Sequence, residues 1–305
     1  MPVASASPAG SCRAGPRVAI GLPVRNGERY LAAAIDSLLA QRFGDFELLI
    51  SDNASTDGTW EICRHYAARD ARVRVVRQDG DRGAAVNFNH VFERTAAPLF
   101  KWAAHDDVVA PDYLSRAVAL LDRRPDAAIA HSAAGVIDAE GRPVAPRGAT
   151  GRLDGASPAA RLKRLLHVGY FTEIFGLIRR EVLQATGLHR VYVSSDRILM
   201  AELLLRGDVA YDDEVLFLRR DHPEAYVRRI KGAAARARWV GTAATPVPRH
   251  PWLTRSARLL GAVAAAPIPP TQKASASIAI VTWHGGIVLD GLGRSGRQAP
   301  PPQDS

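Results

Sequence analysis

Apolar positions along the first 130 residues follow two alternating rhythms. Five short runs are hydrophobic almost throughout and bounded by turn residues: "RVAIGLP" at 17–23, "FELLIS" at 46–51, "VRVVRQ" at 73–78, "PLFKWAA" at 98–104 and "AAIAHSA" at 127–133. Their length and their aliphatic and β-branched content predict buried strands. Between the runs, apolar residues recur every three or four positions: Leu31, Ile35, Leu38 and Leu39; Ile62, Cys63 and Tyr66; Tyr113, Leu114, Ala117, Leu120 and Leu121. Such spacing gives each segment one apolar helical stripe. Strand, helix, strand with short connections implies right-handed crossovers, and so an α/β, Rossmann-like, doubly wound and mostly parallel sheet.

Beyond residue 140 the rhythm changes. "GRPVAPRGATGRLDGASPAAR" reads as a loop, followed by a helix around 160–167, a short strand near "EIFGLIRR", a helix from about Ser195 to Arg206 ended by Gly207, and a strand "EVLFLRR". "YVRRIKGAAARARWV" and "WLTRSARLLGAVAAA" read as amphipathic helices with basic faces. After Pro267 the pattern predicts poor order, with "APPPQDS" as a solvated end. The expected organisation is a loose leader over 1–16, a main body over 17–225 divided at 133/134, and a basic helical extension with a disordered tail over 226–305.

Composition fits this picture. At 305 residues, 47% hydrophobic and 23% charged, the chain can bury a sizeable core. Its two cysteines, Cys12 and Cys63, are too few for a disulfide framework, which points to a reducing cytoplasm. The leader has no apolar stretch of the signal-peptide kind, and no run of about 18 apolar residues is available to span a bilayer. The net charge of +9 is concentrated: thirteen Lys/Arg face four Asp/Glu from Arg219 onward, and the first 218 residues are neutral overall. A basic end on a neutral body is expected either to meet an anionic surface, placing the protein peripherally on the inner face of a membrane, or simply to be solvated.

In open α/β sheets ligands bind beyond the carboxyl ends of the strands. Candidate ligand-binding residues collect there: Pro23, Arg25, Asn26 and Glu28 after the first run; Asp52, Asn53, Ser55 and Asp57 after the second; Asp79, Asp81 and Arg82 after the third; Asp106 and Asp107 after the fourth. No G-x-G-x-x-G follows the first strand and no G-x-x-x-x-G-K-[ST] occurs, which disfavours dehydrogenases and P-loop enzymes. Adjacent Asp106 and Asp107 repel each other unless solvated, capping a helix or facing a cation. Hard carboxylate oxygens suit Mg²⁺ or Mn²⁺ bridging the phosphates of a nucleotide.

"VAIGLPVRNGERYLAAAIDSLLAQRFGDFELLISDNASTDGTWEI" followed by "HDDVVAPDYL" resembles glycosyltransferase family 2, inverting enzymes of GT-A fold, over roughly residues 17–225. The resemblance implies transfer of a sugar from a nucleotide-diphospho-sugar, a UDP-sugar by default, to a saccharide or lipid-linked acceptor in cell-surface polysaccharide or glycolipid synthesis. It implies that Pro23, Arg25, Glu28, Asp52 and Asn53 line the nucleotide pocket, Asp52 accepting from the base, and that Arg82 in "DRGAAVNFN" lies near the nucleotide. Asp106 and Asp107 match the metal motif for Mn²⁺ or Mg²⁺, one meeting ribose and the other metal, although Ala104 stands where many members carry a further Asp. Asp196 in "YVSSDRILM" matches the catalytic base, with Ser195 in place of a usual Glu and with Glu173 and Glu202 as rival carboxylates. His222 in "LRRDHPE" matches a metal-ligating position, beside Arg219 and Arg220 for the leaving diphosphate. The alternatives are a sugar nucleotidyltransferase, which lacks its Gly-rich triphosphate loop here, and a non-catalytic nucleotide-sugar-binding protein. Nucleic acid is not an expected partner, since the cationic end lacks interleaved aromatic platforms.

Overall fold

The computed structural model describes residues 15–144, 151–225 and 230–295, with side chains up to 285. Most of the leader, residues 226–229 of the first basic segment and the terminal "APPPQDS" lie outside the described residues.

All five predicted runs are strands: β1 (Val18–Val24), β2 (Phe46–Asp52), β3 (Val73–Arg77), β4 (Leu99–Trp102) and β6 (Ala127–Ile137). The remaining strands are β5 (Val108–Val109), β7 (Pro143–Val144), β8 (Leu177–Arg179) and β9 (Asp208–Arg220). They form one sheet in the order β3-β2-β1-β4-β8-β6-β9-β5, with β7 paired to β6. Strands β1 to β4 are mutually parallel, and β6 is parallel to β9. β8 lies antiparallel between β4 and β6, so β6 keeps the direction of the first four strands without touching them. Ile178 of β8 is the splice, paired with Phe100 on one side and Ile129 on the other.

Helices cover both faces, as a doubly wound sheet requires. Alternation along β1 sends Val18, Ile20, Leu22 and Val24 to one layer, with α1 (Glu28–Leu39), α2 (Thr59–Ala67) and α4 (Tyr113–Arg123). Leu31, Ile35 and Leu38 of α1 and Leu114, Ala117 and Leu121 of α4 are the buried stripes foreseen from their spacing. The other layer holds α3 (Ala84–Glu93), α5 (Pro158–His167) and α7 (Ser195–Leu204), with short α6 (Arg180–Gln184) beside them. There Gly21 lets α3 approach β1 closely: a Cβ at that position would stand 2.5 Å from Val91.

Among the described residues three further helices follow: α8 (Ala233–Val240), α9 (Pro251–Ala265) and α10 (Pro270–Ser295). The last corrects the expectation of poor order after Pro267. α10 lies against α5, with Ala276 and Ile280 fully buried. Prolines at the first turns of α9 and α10 are suited to helix starts, where the missing N–H has no partner to lose. Among the described residues no helix is long and apolar enough to cross a membrane.

Candidate active site

Loops at the carboxyl ends of β1, β2 and β3 are tied into one rim. After β1 the backbone enters the left-handed region at Asn26 (φ 52°), and its N–H donates to Ser55 Oγ at 2.9 Å while its side-chain oxygen accepts from Thr56 N at 2.9 Å. Helix starts α1 and α2 cap each other: Glu28 accepts from Gly58 N at 2.8 Å, and Gly27 N donates to Thr59 Oγ1 at 2.8 Å. Asp81 joins the third loop, pairing with Arg25 at 2.9 Å and accepting from Asn53 Nδ2 at 2.8 Å. Asn53 in turn accepts from Arg82 N at 3.0 Å. Pro23 lies buried within β1 opposite Ser51.

Thus Arg25, Glu28, Asn53 and Arg82 share one rim. Asp52 stands beneath it with no surface exposed, accepting from Ser55 N at 3.0 Å and paired with Arg77 at 3.2 Å. A base contact by Asp52 therefore requires Arg77 to yield. Asp81, the hub of the rim, sits in "QDGDRG", where the density of turn residues and acids was the available signal.

The fourth loop carries the aspartate pair, and the end of β9 folds over it. Asp107 accepts from Arg220 N at 2.9 Å, and Arg220 Nε donates to the Asp106 carbonyl at 2.9 Å. His222 Nε2 lies 3.0 Å from Asp106 Oδ2. The His222 ring is 3% exposed, stands 4.5 Å from Tyr30, and keeps a buried Nδ1 without a hydrogen-bond partner. His105 packs against Gly27, in accord with a local packing role. Burial raises the Asp106 carboxyl, but the His105 charge and the His222 hydrogen bond outweigh it and hold its pKa low. Asp107 moves the other way, pushed up by burial and then by the charge of Asp106.

Arg220 is no free cation for a leaving group. It also donates to the carbonyls of Asp138 and Ala139 at 3.1 and 3.2 Å and stacks 4.9 Å over Tyr30. Arg219 instead stacks 4.9 Å over Tyr170.

Opposite, α7 begins with Ser194 in the left-handed region (φ 66°) and then Ser195 and Asp196. Arg197 fixes this corner: its guanidinium donates to the carbonyls of Leu165, Val168 and Gly169 at 2.5, 3.0 and 3.2 Å, holding the segment that leads into Tyr170. Asp196 is exposed at the start of α7, and the protein packed around it raises its carboxyl pKa against the opposing pull of Arg197. Tyr170 lies within electrostatic reach of both groups. Its hydroxyl is raised by burial and feels the charges of Asp107, Arg219, Asp106 and Asp196 together.

The rival carboxylates are committed elsewhere. Glu173 is buried, accepting from the Tyr211 hydroxyl and from Thr172 N at 2.9 Å. Glu202 is buried too, accepting from Gly187 N at 2.6 Å and lying 3.4 Å from Arg190.

Among the described residues no three His, Cys, Asp or Glu side chains form a ready metal shell. Asp106 and His222 nevertheless stand 3.0 Å apart with Asp107 next in the chain, so carboxylate oxygens and an imidazole are the donors this corner could offer a cation. Mg²⁺ characteristically takes one or two carboxylates and fills its remaining positions with water and substrate phosphates, so the residues present fit such an ion.

A family model described as "Glycosyl transferase family 2" matches residues 19–187. Among curated relatives, EpsE of Bacillus subtilis, named as a glycosyltransferase, is 33% identical over 110 residues, 36% of this chain and 40% of that protein. TuaG of Bacillus subtilis, named as a teichuronic acid biosynthesis glycosyltransferase, is 31% identical over 109 residues, 36% of this chain and 43% of the relative. The match spans less than half the length of either relative. Among solved structures, S. aureus TarS 1-349 in complex with UDP-GlcNAc superposes with TM-score 0.68 at 14% identity, covering 93% of this chain and 76% of that one. A mannosyltransferase from Pyrobaculum calidifontis, in complex with GDP-Man and Mn²⁺, gives TM-score 0.54 at 18% identity over 93% and 81%.

Proposed function

Because the chain belongs to glycosyl transferase family 2 and has the GT-A fold, we propose that it transfers a sugar, with inversion, from a UDP-sugar to a hydroxyl of a saccharide or lipid-linked acceptor in cell-surface polysaccharide synthesis. One observation carries the reading: Tyr170, stacked against Arg219, stands close enough to feel the charges of Asp106, Asp107 and Asp196 together. The names of EpsE and TuaG, and the UDP-GlcNAc bound by TarS, support this direction.

In this reading the nucleotide lies along the rim formed by Arg25, Glu28, Asn53 and Arg82, with Asp52 below it. Asp106, Asp107 and His222 would hold Mn²⁺ or Mg²⁺, which when bound supplies positive charge to the diphosphate. The acceptor oxygen attacks the anomeric carbon from the face opposite the diphosphate. A new carbon–oxygen bond forms, the bond to the phosphate oxygen breaks, and the nucleoside diphosphate leaves with the electron pair. The acceptor proton passes to an Asp196 carboxylate oxygen. Its raised pKa makes this carboxylate a stronger base than an ordinary aspartate.

The test is titration of UDP, dTDP and GDP into the protein with and without Mn²⁺, repeated on Asp106→Ala/Asp107→Ala. Metal-dependent binding of UDP that disappears in the double variant is expected. A folded protein that binds none of the three overturns the reading.

A further inference from the structure

From Ile230 to Gly285 the chain carries Lys231, Arg236, Arg238, Arg249, Arg255, Arg258 and Lys273 and not a single Asp or Glu. Where α9 and α10 meet, apolar side chains face solvent: Trp252 is 36% and Leu253 47% exposed at the start of α9, and Ile278 is 63% and Val281 61% exposed on α10. The Trp252 ring, 4.7 Å from His284, links the two helices. Arg255 lies 4.7 Å over Trp283, and exposed Arg249 immediately precedes α9. Along α9 the stripe that starts at Trp252 runs into the core through Ser256, Leu259 and Val263, and α10 is anchored by fully buried Ala276 and Ile280. α9 packs on α7, the helix that opens with Asp196, and α10 packs on α5.

We propose that this α9–α10 face is a docking surface for an anionic phospholipid bilayer. Indole and aliphatic groups enter the headgroup boundary while neighbouring guanidinium groups meet lipid phosphate. A soluble polyanion would engage the cations and leave the four exposed apolar side chains without a role. A second copy would set one acid-free basic face against another. No described helix is long and apolar enough to span, so contact is with the surface of the bilayer. The inference goes beyond the transfer reaction and depends on it for one consequence only: docking would hold α7, which carries Asp196, close to acceptors displayed on the membrane.

Co-sedimentation of the full chain with phosphatidylcholine vesicles, and with the same vesicles containing phosphatidylglycerol, tests it. Binding to the anionic vesicles alone is expected, weakened by salt. Arg249→Glu should reduce it by at least about fivefold, the effect of one surface charge, and Trp252→Ser/Leu253→Ser by roughly tenfold through lost apolar insertion. Nucleotide titration of these variants should be unchanged, which separates this outcome from the transfer reading. Absence of binding, or equal binding to neutral vesicles, overturns the proposal. Undiminished binding by the Trp252/Leu253 variant would make the face a polyanion site. Loss in that variant of a dimer formed without vesicles would assign the face to a second copy.

Discussion

Gly83 and Gly232 form a natural pair for measuring how the chain beyond α8 closes on the nucleotide rim. Both precede helices, α3 and α8, and both hold nearly the same backbone conformation, φ 79° and ψ 160° at Gly83 against φ 83° and ψ 153° at Gly232. Side chains rarely adopt that region, and forcing alanine into it costs about 1–3 kcal/mol at either site. The surroundings differ. A Cβ at Gly232 meets nothing within 4 Å, whereas at Gly83 it would stand 2.1 Å from the Gly241 carbonyl oxygen. That oxygen is backbone and cannot rotate away, so the turn after α8 must shift, adding about 1–3 kcal/mol of overpacking.

Gly83→Ala should therefore lose roughly 2–6 kcal/mol and Gly232→Ala roughly 1–3 kcal/mol in urea unfolding. Gly83 N also donates to Asp81, whose carboxylate pairs with Arg25 and Asn53. The first variant should accordingly weaken UDP binding while the second leaves it unchanged. Equal destabilisation in the two variants would refute the reasoning, because it would mean that Gly241 does not rest on Gly83.

Other outcomes follow from single side chains. Asp196→Asn should lower transfer by about 10²–10⁴-fold while leaving nucleotide binding intact, and the parent's activity should fall with acid at a higher pH than for an ordinary aspartate, because the Asp196 pKa is raised. Lys101 is 1% exposed, and burial depresses its pKa to about 7. Between there and its unfolded value the unfolded chain binds more protons, so this lysine makes stability rise with pH across that window and weighs against the fold below it. Lys101→Met should be more stable than the parent near pH 6, the advantage shrinking toward pH 10. The Phe175 carbonyl that Lys101 contacts still accepts from the Tyr113 hydroxyl at 3.3 Å. A pH-independent difference in thermal scans would contradict this. Cys63 is fully buried with its thiol pushed up to about 12, so it should resist alkylation until the protein unfolds, as mass spectrometry of trapped adducts would report. Leu199→Ala, a fully buried position in α7, should cost about 2–5 kcal/mol in the same urea assay.

The sheet was legible because strand and helix periodicities are local. The runs at 17–23 and 46–51 alternate with the Leu31–Ile35–Leu38 stripe, and each marks its element without reference to the rest of the chain. The antiparallel insertion of β8 between β4 and β6 was not legible, since three buried residues carry no direction. Order after Pro267 was missed for a related reason. The α10 segment looks weakly amphipathic alone, and Ala276 and Ile280 acquire a purpose only against the rest of the fold. The burial of Lys101 was equally hidden, because "FKW" does not reveal that both faces of β4 are covered.

By itself the sequence determined which residues could do chemistry. Asp106, Asp107, Asp196, His222 and the polar ends of the first strands were all identifiable from residue type, position after an apolar run and family resemblance. Tertiary structure alone decided which of them meet. The antiparallel pairing of Val108 with Leu218 carries Arg220 and His222 onto the aspartate pair from more than a hundred residues away. The grip of Arg197 on the carbonyls of Leu165, Val168 and Gly169 fixes the segment leading into Tyr170, which feels the charges of both that pair and Asp196. Glu173 and Glu202 are buried and held in hydrogen bonds of their own. A carboxylate's pKa and availability depend on the atoms around it, and those neighbours exist only once strands distant in the chain have been paired.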